Sequence, residues 1–283
     1  MNKYIIVFCE GEHDIAFLTR ILFVEGYSPY DKKVNEFPNP LNELFKINLA
    51  NKKIEDIEFK YQKPNQKVPF TVLFKENTLI IFHNLGGDGN ILKNNNAQEI
   101  VEQYISLNDE ARRKIQKYEK LNYRFLYFLD SDNKGVETRI SELENKLEIS
   151  NLEHYQTNIK DDNEFGCAVF YKTEDEQNKY GKLEDIILAL MKPDNIDIFD
   201  ASSTFIQSNL LDEERQKKFI CNHLEEKHDG SKNFKQEKSI ISIAGQLQFS
   251  GSANSVIIAN SDYIKKSDIE ANVQCQNIIK MFI

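Results

Sequence analysis

The fold is decided by one stretch near the N-terminus, Tyr4-Ile5-Ile6-Val7-Phe8-Cys9-Glu10-Gly11-Glu12-His13-Asp14. Its first half is a continuous apolar run, which is typical of a strand buried on both faces of a parallel sheet. The run stops at Glu10 and Gly11, and the apolar spacing from Ile15 to Phe23 predicts a helix directly after the turn. Because open α/β sheets place their functional crevice beyond the carboxyl ends of the strands, we expect Glu10 to lie at such a crevice.

The order of strand, turn and helix recurs along the chain and predicts an α/β fold with a mainly parallel central sheet flanked by helices. Further strands are predicted at 70–74, 79–83, 123–129 and 165–171, and helices at 97–121, 136–149 and 181–191. We expect an α/β core over residues 1–191, interrupted by a proline-punctuated insertion at about 28–70. Residues 192–283 are expected to form a mostly helical extension packed on this core, with helices at 198–210, 212–224, 238–247 and 269–281.

Composition narrows the class of protein. The chain has 283 residues, 40% of them hydrophobic and 29% charged, which is ordinary for a soluble globular protein. No apolar run approaches the roughly 20 residues that span a bilayer, and the first run reaches Glu10 too soon for a signal peptide, so we expect a cytoplasmic protein without membrane contact. The net charge of −9 argues against a broadly basic nucleic-acid-binding surface, but it is compatible with acids that hold metal ions.

A second acidic motif, Asp130-Ser131-Asp132, follows the strand predicted at 123–129. In an extended chain, side chains two residues apart point the same way, so both carboxylates could face one ion. Carboxylate oxygens are the ligands that Mg²⁺ prefers. Taken alone, this motif could be a solvated turn, and Gly11 with Asp14 could simply start a helix. Two buried strands that both end in acid nevertheless predict a metal site at one edge of the sheet.

Together these motifs resemble the Toprim family, the domain shared by topoisomerases, primases, OLD-family nucleases and RecR-type repair proteins. The resemblance rests on Cys9-Glu10-Gly11-Glu12-His13-Asp14, on Leu129-Asp130-Ser131-Asp132, and on the Gly86-Gly87 turn after the strand between them. With the later segment Gly181 to Asp185, the chain looks most like OLD-type nucleases and small stand-alone Toprim proteins of uncharacterised role. The resemblance implies a Toprim-like, Rossmann-type arrangement of the core.

The resemblance also implies roles for particular residues. Glu10 would be a metal ligand or general base, and the remaining ligands of Mg²⁺ or Mn²⁺ would be Asp130, Asp132, Asp14 at a second ion, and Glu184. The related nucleases use a lysine near the end of the domain, for which Lys238 is the candidate catalytic residue and Lys182 the rival. Either lysine could instead be a solvated surface charge.

The implied function is a metal-dependent nuclease, or another phosphodiester-transfer enzyme, acting on DNA or RNA in a process such as DNA repair or phage defence. The alternative is a non-catalytic Toprim-fold binding or scaffold protein that works with a partner protein or nucleic acid. No P-loop sequence is present, so an ATPase would have to be a separate partner; a homodimer is also open. A basic segment is the candidate nucleic-acid contact, although a solvated helix face explains it equally well: Arg112, Arg113, Lys114 and Lys117.

Three further features are weaker. His13 lies beside the acidic motif, and His83 ends a strand near the glycine turn, where it could face the crevice or the core. Cys221, His223 and His228 resemble half a zinc site, but no matching pair of ligands accompanies them. We therefore predict no zinc site.

Overall fold

The computed structural model describes residues 3–50, 66–87, 90–174, 177–216, 218–221, 226–229 and 234–283. A seven-stranded sheet lies at its centre, in the order β2-β3-β4-β1-β5-β7-β6. The strands of this sheet are β1 (Lys3–Cys9), β2 (Ser28–Pro29), β3 (Thr71–Lys75), β4 (Thr78–Asn84), β5 (Asn122–Asp130), β6 (Thr157–Lys160) and β7 (Asn163–Phe170). A separate hairpin pairs β8 (Lys218–Cys221) with β9 (Glu226–Asp229).

The four central strands, β4, β1, β5 and β7, are parallel, which confirms the predicted α/β class. The outer strands pair antiparallel with their neighbours. Short turns join β3 to β4 and β6 to β7, whereas a long segment that includes α2 separates β2 from β3. Between β6 and β7, Asp161 and Asp162 both take left-handed backbone conformations, with φ of 49° and 63°. Two such residues in succession form the type I′ turn whose twist matches a hairpin.

The helices surround the sheet: α1 (Glu12–Val24), α2 (Leu41–Ala50), α3 (Asn90–Lys93), α4 (Asn96–Ser106), α5 (Glu110–Gln116), α6 (Val136–Leu147), α7 (Leu183–Met191), α8 (Ile196–Ser208), α9 (Glu213–Gln216), α10 (Gln236–Gly245), α11 (Asn254–Asn260), α12 (Lys266–Ala271) and α13 (Val273–Lys280). A short 3₁₀ turn covers Val34–Glu36. In the described residues no helix is long and apolar enough to cross a membrane.

The sheet separates two hydrophobic cores, and β1 contributes to both because its side chains alternate. Ile5, Val7 and Cys9 face a core shared with α1, α7, α8, α10, α11 and α13. Tyr4, Ile6 and Phe8 face a core shared with α2, α4 and α6. The helices beyond residue 191 thus cover one face of the sheet; the division of the chain into two domains stays a prediction.

Local differences from the predicted elements have identifiable causes. The helix predicted at 97–121 is two helices, because the Asp109 carboxylate accepts a hydrogen bond from Arg112 N–H (3.0 Å) and starts α5 afresh. The prediction of a helix at 212–224 is wrong. In the described part of that range only the short helix α9 forms, and β8 follows it and pairs antiparallel with β9. The segment Val256 to Ile258 lies inside helix α11.

Candidate functional site at the carboxyl end of the sheet

The carboxyl ends of β1 and β5 open into a cleft of about 770 Å³. Polar and charged side chains dominate its lining: Glu10, Leu92, Lys93, Asp130, Asp132, Lys134, Arg139, Glu142, Asn145, Lys146, Lys182, Glu184, Lys235 and Lys238. The cleft brings together most of the expected catalytic and metal-binding residues, although they come from the ends of β1 and β5 and from α7 and α10. Asp14 and the basic segment on α5 are not part of this lining.

Glu10 is held in place through its backbone by the glycine turn that follows β4. Gly87 N–H donates to the Glu10 carbonyl oxygen, and Leu85 N–H donates to the Cys9 carbonyl oxygen at 3.0 Å. Gly87 has a φ of +84°, in the left-handed region, whereas a Cβ there would meet only the Glu10 carbonyl at 3.9 Å. The glycine is therefore required by backbone conformation and not by lack of space.

Asp14 lies behind the cleft, at the start of α1. Its carboxylate accepts the Gly11 N–H at 2.9 Å and so fixes the entry of the chain into the helix. The helix begins at Glu12, so Glu10 precedes the helix while Asp14 lies in its first turn, and Glu12 is exposed. Burial, reinforced by the negative charges of Glu10 and Glu184, raises the pKa of Asp14 to about 7.

Asp130 is the last residue of β5 and is tied to α7. Its Oδ1 accepts the Leu183 N–H at 2.8 Å, at the first turn of that helix. Burial, followed by the charges of Asp14, Glu184 and Glu10, holds the pKa of Asp130 well above its usual range. Several carboxylates are thus close enough to penalise one another's ionisation, and a cation among them would relieve this penalty.

The backbone at Asp132 does not continue the extended strand that ends at Asp130. The sequence predicted an extended chain with both carboxylates facing one ion, but Asp132 is left-handed, with a φ of +49°. Its carboxylate pairs with Arg139, a buried residue whose Nε also donates to the Asp130 carbonyl oxygen at 2.9 Å. The expectation of an extended pair is therefore wrong, because Asp132 leaves the strand and an arginine already neutralises its charge.

A two-residue backbone bridge fixes Asp132 against the segment before α7. Asp132 N–H donates to the Gly181 carbonyl (2.7 Å), and Gly181 N–H donates back to the Asp132 carbonyl (2.9 Å). Gly181 has a φ of +135°, and a Cβ there would lie only 2.5 Å from Lys172 N. This position therefore admits only glycine without a shift of the backbone.

Glu184, on the first turn of α7, is buried and contacts a histidine and a lysine. His13 Nδ1 lies 3.0 Å from its Oε1, and Lys238 Nζ lies 3.3 Å from the same oxygen. Burial alone would raise the pKa of Glu184, but the hydrogen bond from His13 and the charge of Lys238 lower it overall. The pKa of Lys238 is raised, since the Glu184 charge outweighs the effect of its own burial.

The two candidate lysines differ in their environment. Lys238 contacts the buried carboxylate of Glu184, whereas Lys182 pairs with Glu237 at 3.4 Å on the rim. Lys238 also lies close enough to Asp14 and Asp130 for their charges to raise its pKa. The environment of Lys238 matches the expected lysine more closely than that of Lys182.

Sequence reasoning missed several cations that line the cleft: Lys93, Lys134, Arg139, Lys146 and Lys235. They are scattered along the chain in α3, α6, the loop before α6 and the residue before α10, so no local sequence pattern marks them. Only their spatial convergence identifies them.

The basic segment on α5 contributes no residue to this cleft lining. Lys114 pairs with Glu110 on the same helix, and Arg113 Nε donates to the Asn108 carbonyl at 3.1 Å. Lys117 ends the helix in a left-handed conformation. These contacts are those of a solvated helix, and the nucleic-acid role of Arg112, Arg113, Lys114 and Lys117 stays a prediction.

His83 belongs to the core and not to the cleft. It is fully buried, its Nε2 lies 3.0 Å from the Tyr104 hydroxyl, and its Nδ1 lies 2.9 Å from the Gln66 carbonyl. Burial lowers the pKa of His83 to about 4, so it is neutral at physiological pH. The side chains of Cys221, His223 and His228 fall outside the described part of the chain.

The donor set of the cleft suits a hard divalent cation, because it consists of carboxylate oxygens whose charges raise the pKa of Asp14 and Asp130. Glu10, Asp14 and Asp130 are the residues that would hold such an ion, because their charges act on one another. Asp132 is paired with Arg139, and Glu184 is paired with Lys238. Within the described residues, however, no three histidine, cysteine, aspartate or glutamate side chains are grouped closely enough to hold a metal. The carboxylate ligands therefore suit a divalent cation, but these side chains would have to move closer together to bind one.

The chain was also compared with known proteins. No protein-family model matches the sequence, and no curated protein matches it either. Among solved structures, the chain is similar to a hypothetical protein from Pyrococcus horikoshii OT3, with 15% sequence identity and a TM-score of 0.49. The similarity covers 99% of this chain and 94% of that one. At this level of similarity it says nothing about function.

Proposed function

We propose that this chain is a metal-dependent phosphodiesterase that cleaves nucleic acid with the acids at the carboxyl end of its sheet. One observation carries the proposal: Glu10, Asp130 and Glu184 come from three distant segments and line one cleft. Their mutual repulsion, with that of Asp14, raises the pKa of Asp130 beyond the effect of burial alone. Ionisable groups whose pKa is shifted far from its ordinary value are concentrated at functional sites.

The reaction would be hydrolysis of a phosphodiester. The oxygen of a water molecule attacks phosphorus, the bond from phosphorus to the leaving oxygen breaks, and the leaving oxygen takes a proton from solvent. Glu10 accepts the proton of the attacking water, and Lys238 offers its charge to the phosphate. A bound Mg²⁺ or Mn²⁺ would supply charge neutralisation and a more acidic water.

The placement of the other residues supports these roles. Asp130 is anchored by Leu183 N–H at 2.8 Å, so one oxygen is fixed and the carboxylate keeps a defined direction. Glu184 is held by His13 and Lys238, so we assign it to positioning Lys238 and not to direct metal binding. The Toprim resemblance is consistent with this scheme, since its two acidic motifs supply Glu10 and Asp130.

The proposal is tested by incubating the full chain with supercoiled plasmid, linear duplex and RNA in Mg²⁺, in Mn²⁺ and in EDTA. We expect metal-dependent cleavage that falls at least 100-fold, on the order expected for removal of a catalytic acid–base group, in Glu10→Gln and Asp130→Asn. Asparagine keeps an acceptor for Leu183 N–H, so the second variant should fold. Glu12→Gln is the matched control, because Glu12 is exposed beside the site.

Cleavage that survives both substitutions would assign the activity to another site or to a contaminant. Equal loss in Glu12→Gln would show that the effect is not specific to the cleft. Absence of cleavage together with absence of Mn²⁺ binding would overturn the proposal.

A second candidate function is a non-catalytic binding or scaffold role. The observation that favours it is the lack, among the described residues, of three metal-ligating side chains already grouped for an ion. This candidate predicts nucleic-acid or partner-protein binding that persists in EDTA and in Glu10→Gln, with no cleavage under any metal.

A further inference from the structure

The charge of the cleft lining is opposite in sign to the charge of the chain. The whole sequence carries a net charge of −9, yet seven cationic side chains line the cleft against five carboxylates. Cations gathered in a concave surface raise the local concentration of an anionic ligand. The lining therefore favours a polyanion despite the acidic character of the protein.

The cations lie on two sides of the carboxylates. One side, which we call the α3–α6 rim, consists of Lys93 on α3, Lys146 at the end of α6, and Lys134 in the loop before α6. Helices α3 and α6 pack together, and Lys146 Nζ donates to the Oδ1 of Asn95, the residue just before α4, at 2.6 Å.

The other side is formed by the segments that lead into α7 and α10. It carries Lys182, Lys235 and Lys238, and the Lys182–Glu237 pair joins the two segments. The carboxylates at the ends of β1 and β5 lie with both sets of cations in the same lining.

The cations of the α3–α6 rim differ in how far they are neutralised. Lys134 is paired with Glu142, so part of its charge is already compensated. Lys146 donates to a neutral amide, and among the described residues no carboxylate forms an ion pair with it. Its charge therefore remains available to an external phosphate.

The character of the lining indicates which part of a nucleic acid it contacts. Leu92 is the one apolar residue among the lining side chains described above, and none of them is aromatic. Proteins that hold single strands commonly stack the bases on aromatic rings, whereas a duplex presents its phosphates and hides its bases. The lining is suited to the phosphate backbone and not to unstacked bases.

We propose that the α3–α6 rim holds the phosphate backbone of a nucleic-acid duplex across the cleft, through Lys93 and Lys146, without reading base sequence. This inference rests on the proposed function in one respect: the bond to be cleaved is taken to lie over Glu10 and Asp130. It replaces the basic segment on α5 as the principal nucleic-acid contact.

The test measures binding separately from cleavage. Fluorescence anisotropy with two labelled 20-bp duplexes of unrelated sequence, and with their single strands, is recorded in EDTA over a range of KCl concentrations. Lys93→Gln/Lys146→Gln is compared with the wild-type full chain, and Lys114→Gln/Lys117→Gln on α5 is the matched control with the same loss of charge. Thermal unfolding of each variant verifies that it is folded.

We expect the rim variant to bind both duplexes more weakly by the same factor. The slope of log K against log[salt] should become shallower by about 2, because each lost phosphate contact removes about 0.9 from it. The α5 variant should keep the wild-type slope. Unchanged binding in the rim variant, or a larger loss in the α5 variant, overturns the proposal, and so does tighter wild-type binding to the single strands.

The outcome is distinguishable from failure of the proposed function. Rim-dependent binding without metal-dependent cleavage would uphold the surface and reject the nuclease. Cleavage with rim-independent binding would reject the surface and leave the nuclease in place.

Discussion

Replacing Asp14 by asparagine should stabilise the metal-free protein at neutral and alkaline pH. Asp14 is buried beside the cleft, and its pKa is raised to about 7 by burial and by the charges of Glu10 and Glu184. Asparagine is nearly the same size, and its Oδ1 can accept the Gly11 N–H that Asp14 now accepts at 2.9 Å. The substitution therefore removes the charge and keeps the helix cap.

The sign and size of the effect follow from proton linkage. An aspartate with an ordinary pKa of 3.8 when unfolded and about 7 when folded binds more protons in the folded state between these values. The ionisation of Asp14 therefore does not destabilise the folded protein below about pH 4. The destabilisation grows as the pH rises and reaches its full size above about pH 7. The difference in pKa corresponds to a loss of about 4 kcal/mol of unfolding free energy at high pH. Part of this loss comes from repulsion between Asp14 and the neighbouring carboxylates.

The assay is urea unfolding of the wild type and Asp14→Asn in EDTA at several pH values from 4 to 8. The relevant measurement is the difference in unfolding free energy between the two proteins. Burial lowers the pKa of His83 and His154, so both histidines make each protein more stable as the pH rises, which is opposite to the effect of Asp14. We expect a difference near zero at pH 4 that grows to a few kcal/mol in favour of the variant at pH 8. Glu12→Gln, which removes an exposed charge from the same turn, should show no such growth.

A variant that is equally stable or less stable at pH 8 would refute this reasoning. So would a difference that shrinks as the pH rises. Either result would show that the charge of Asp14 is compensated in the folded protein, and the argument for a cation among these carboxylates would then fail.

Other consequences of the structure can be measured independently. His83→Phe should lower the free energy of unfolding at pH 7. Buried His83 must stay neutral in the folded protein, so the wild type loses about 3 kcal/mol of unfolding free energy between pH 6.5 and 4, and the variant should not. Urea unfolding across this pH range measures both effects. Gly181→Ala should lower the free energy of unfolding by more than about 2 kcal/mol, because the alanine Cβ would lie 2.5 Å from Lys172 N. Gly251→Ala should lower it by only about 1 kcal/mol, because Gly251 also has a positive φ, +79°, but has open space around it. In the nuclease assay, Lys238→Gln should slow cleavage far more than Lys182→Gln, and equal effects would contradict the assignment of Lys238.

The sequence predicted the parts of the site that depend on strand ends. Glu10 and Asp130 each stand at the end of a mostly apolar strand, and parallel strands bring their carboxyl ends to one edge, so their convergence could be expected from local pattern alone. The glycine turn after β4 was also visible, although its observed role is to brace the Glu10 backbone.

The parts that were missed depend on contacts between distant segments. The left-handed conformation of Asp132 accompanies its pairing with Arg139 and its bridge to Gly181, which lies 49 positions further along the chain. The partners of Glu184 come from opposite ends of the sequence, at His13 and Lys238. Strand β8 was predicted as part of a helix at 212–224, because four residues are too few to show a period of two.

The bridge between Asp132 and Gly181 has a mechanical consequence. With the Leu183 N–H bond to Asp130 and the Ser131 hydroxyl bond to the Gly181 carbonyl (3.0 Å), it clasps the exit of β5 to the entrance of α7 at four points. The exit of β5 and the entrance of α7 are thus held together, so Asp130, Asp132 and Glu184 keep fixed positions relative to one another. Arg139 ties α6 to the same unit through the Asp130 carbonyl and the Asp132 carboxylate.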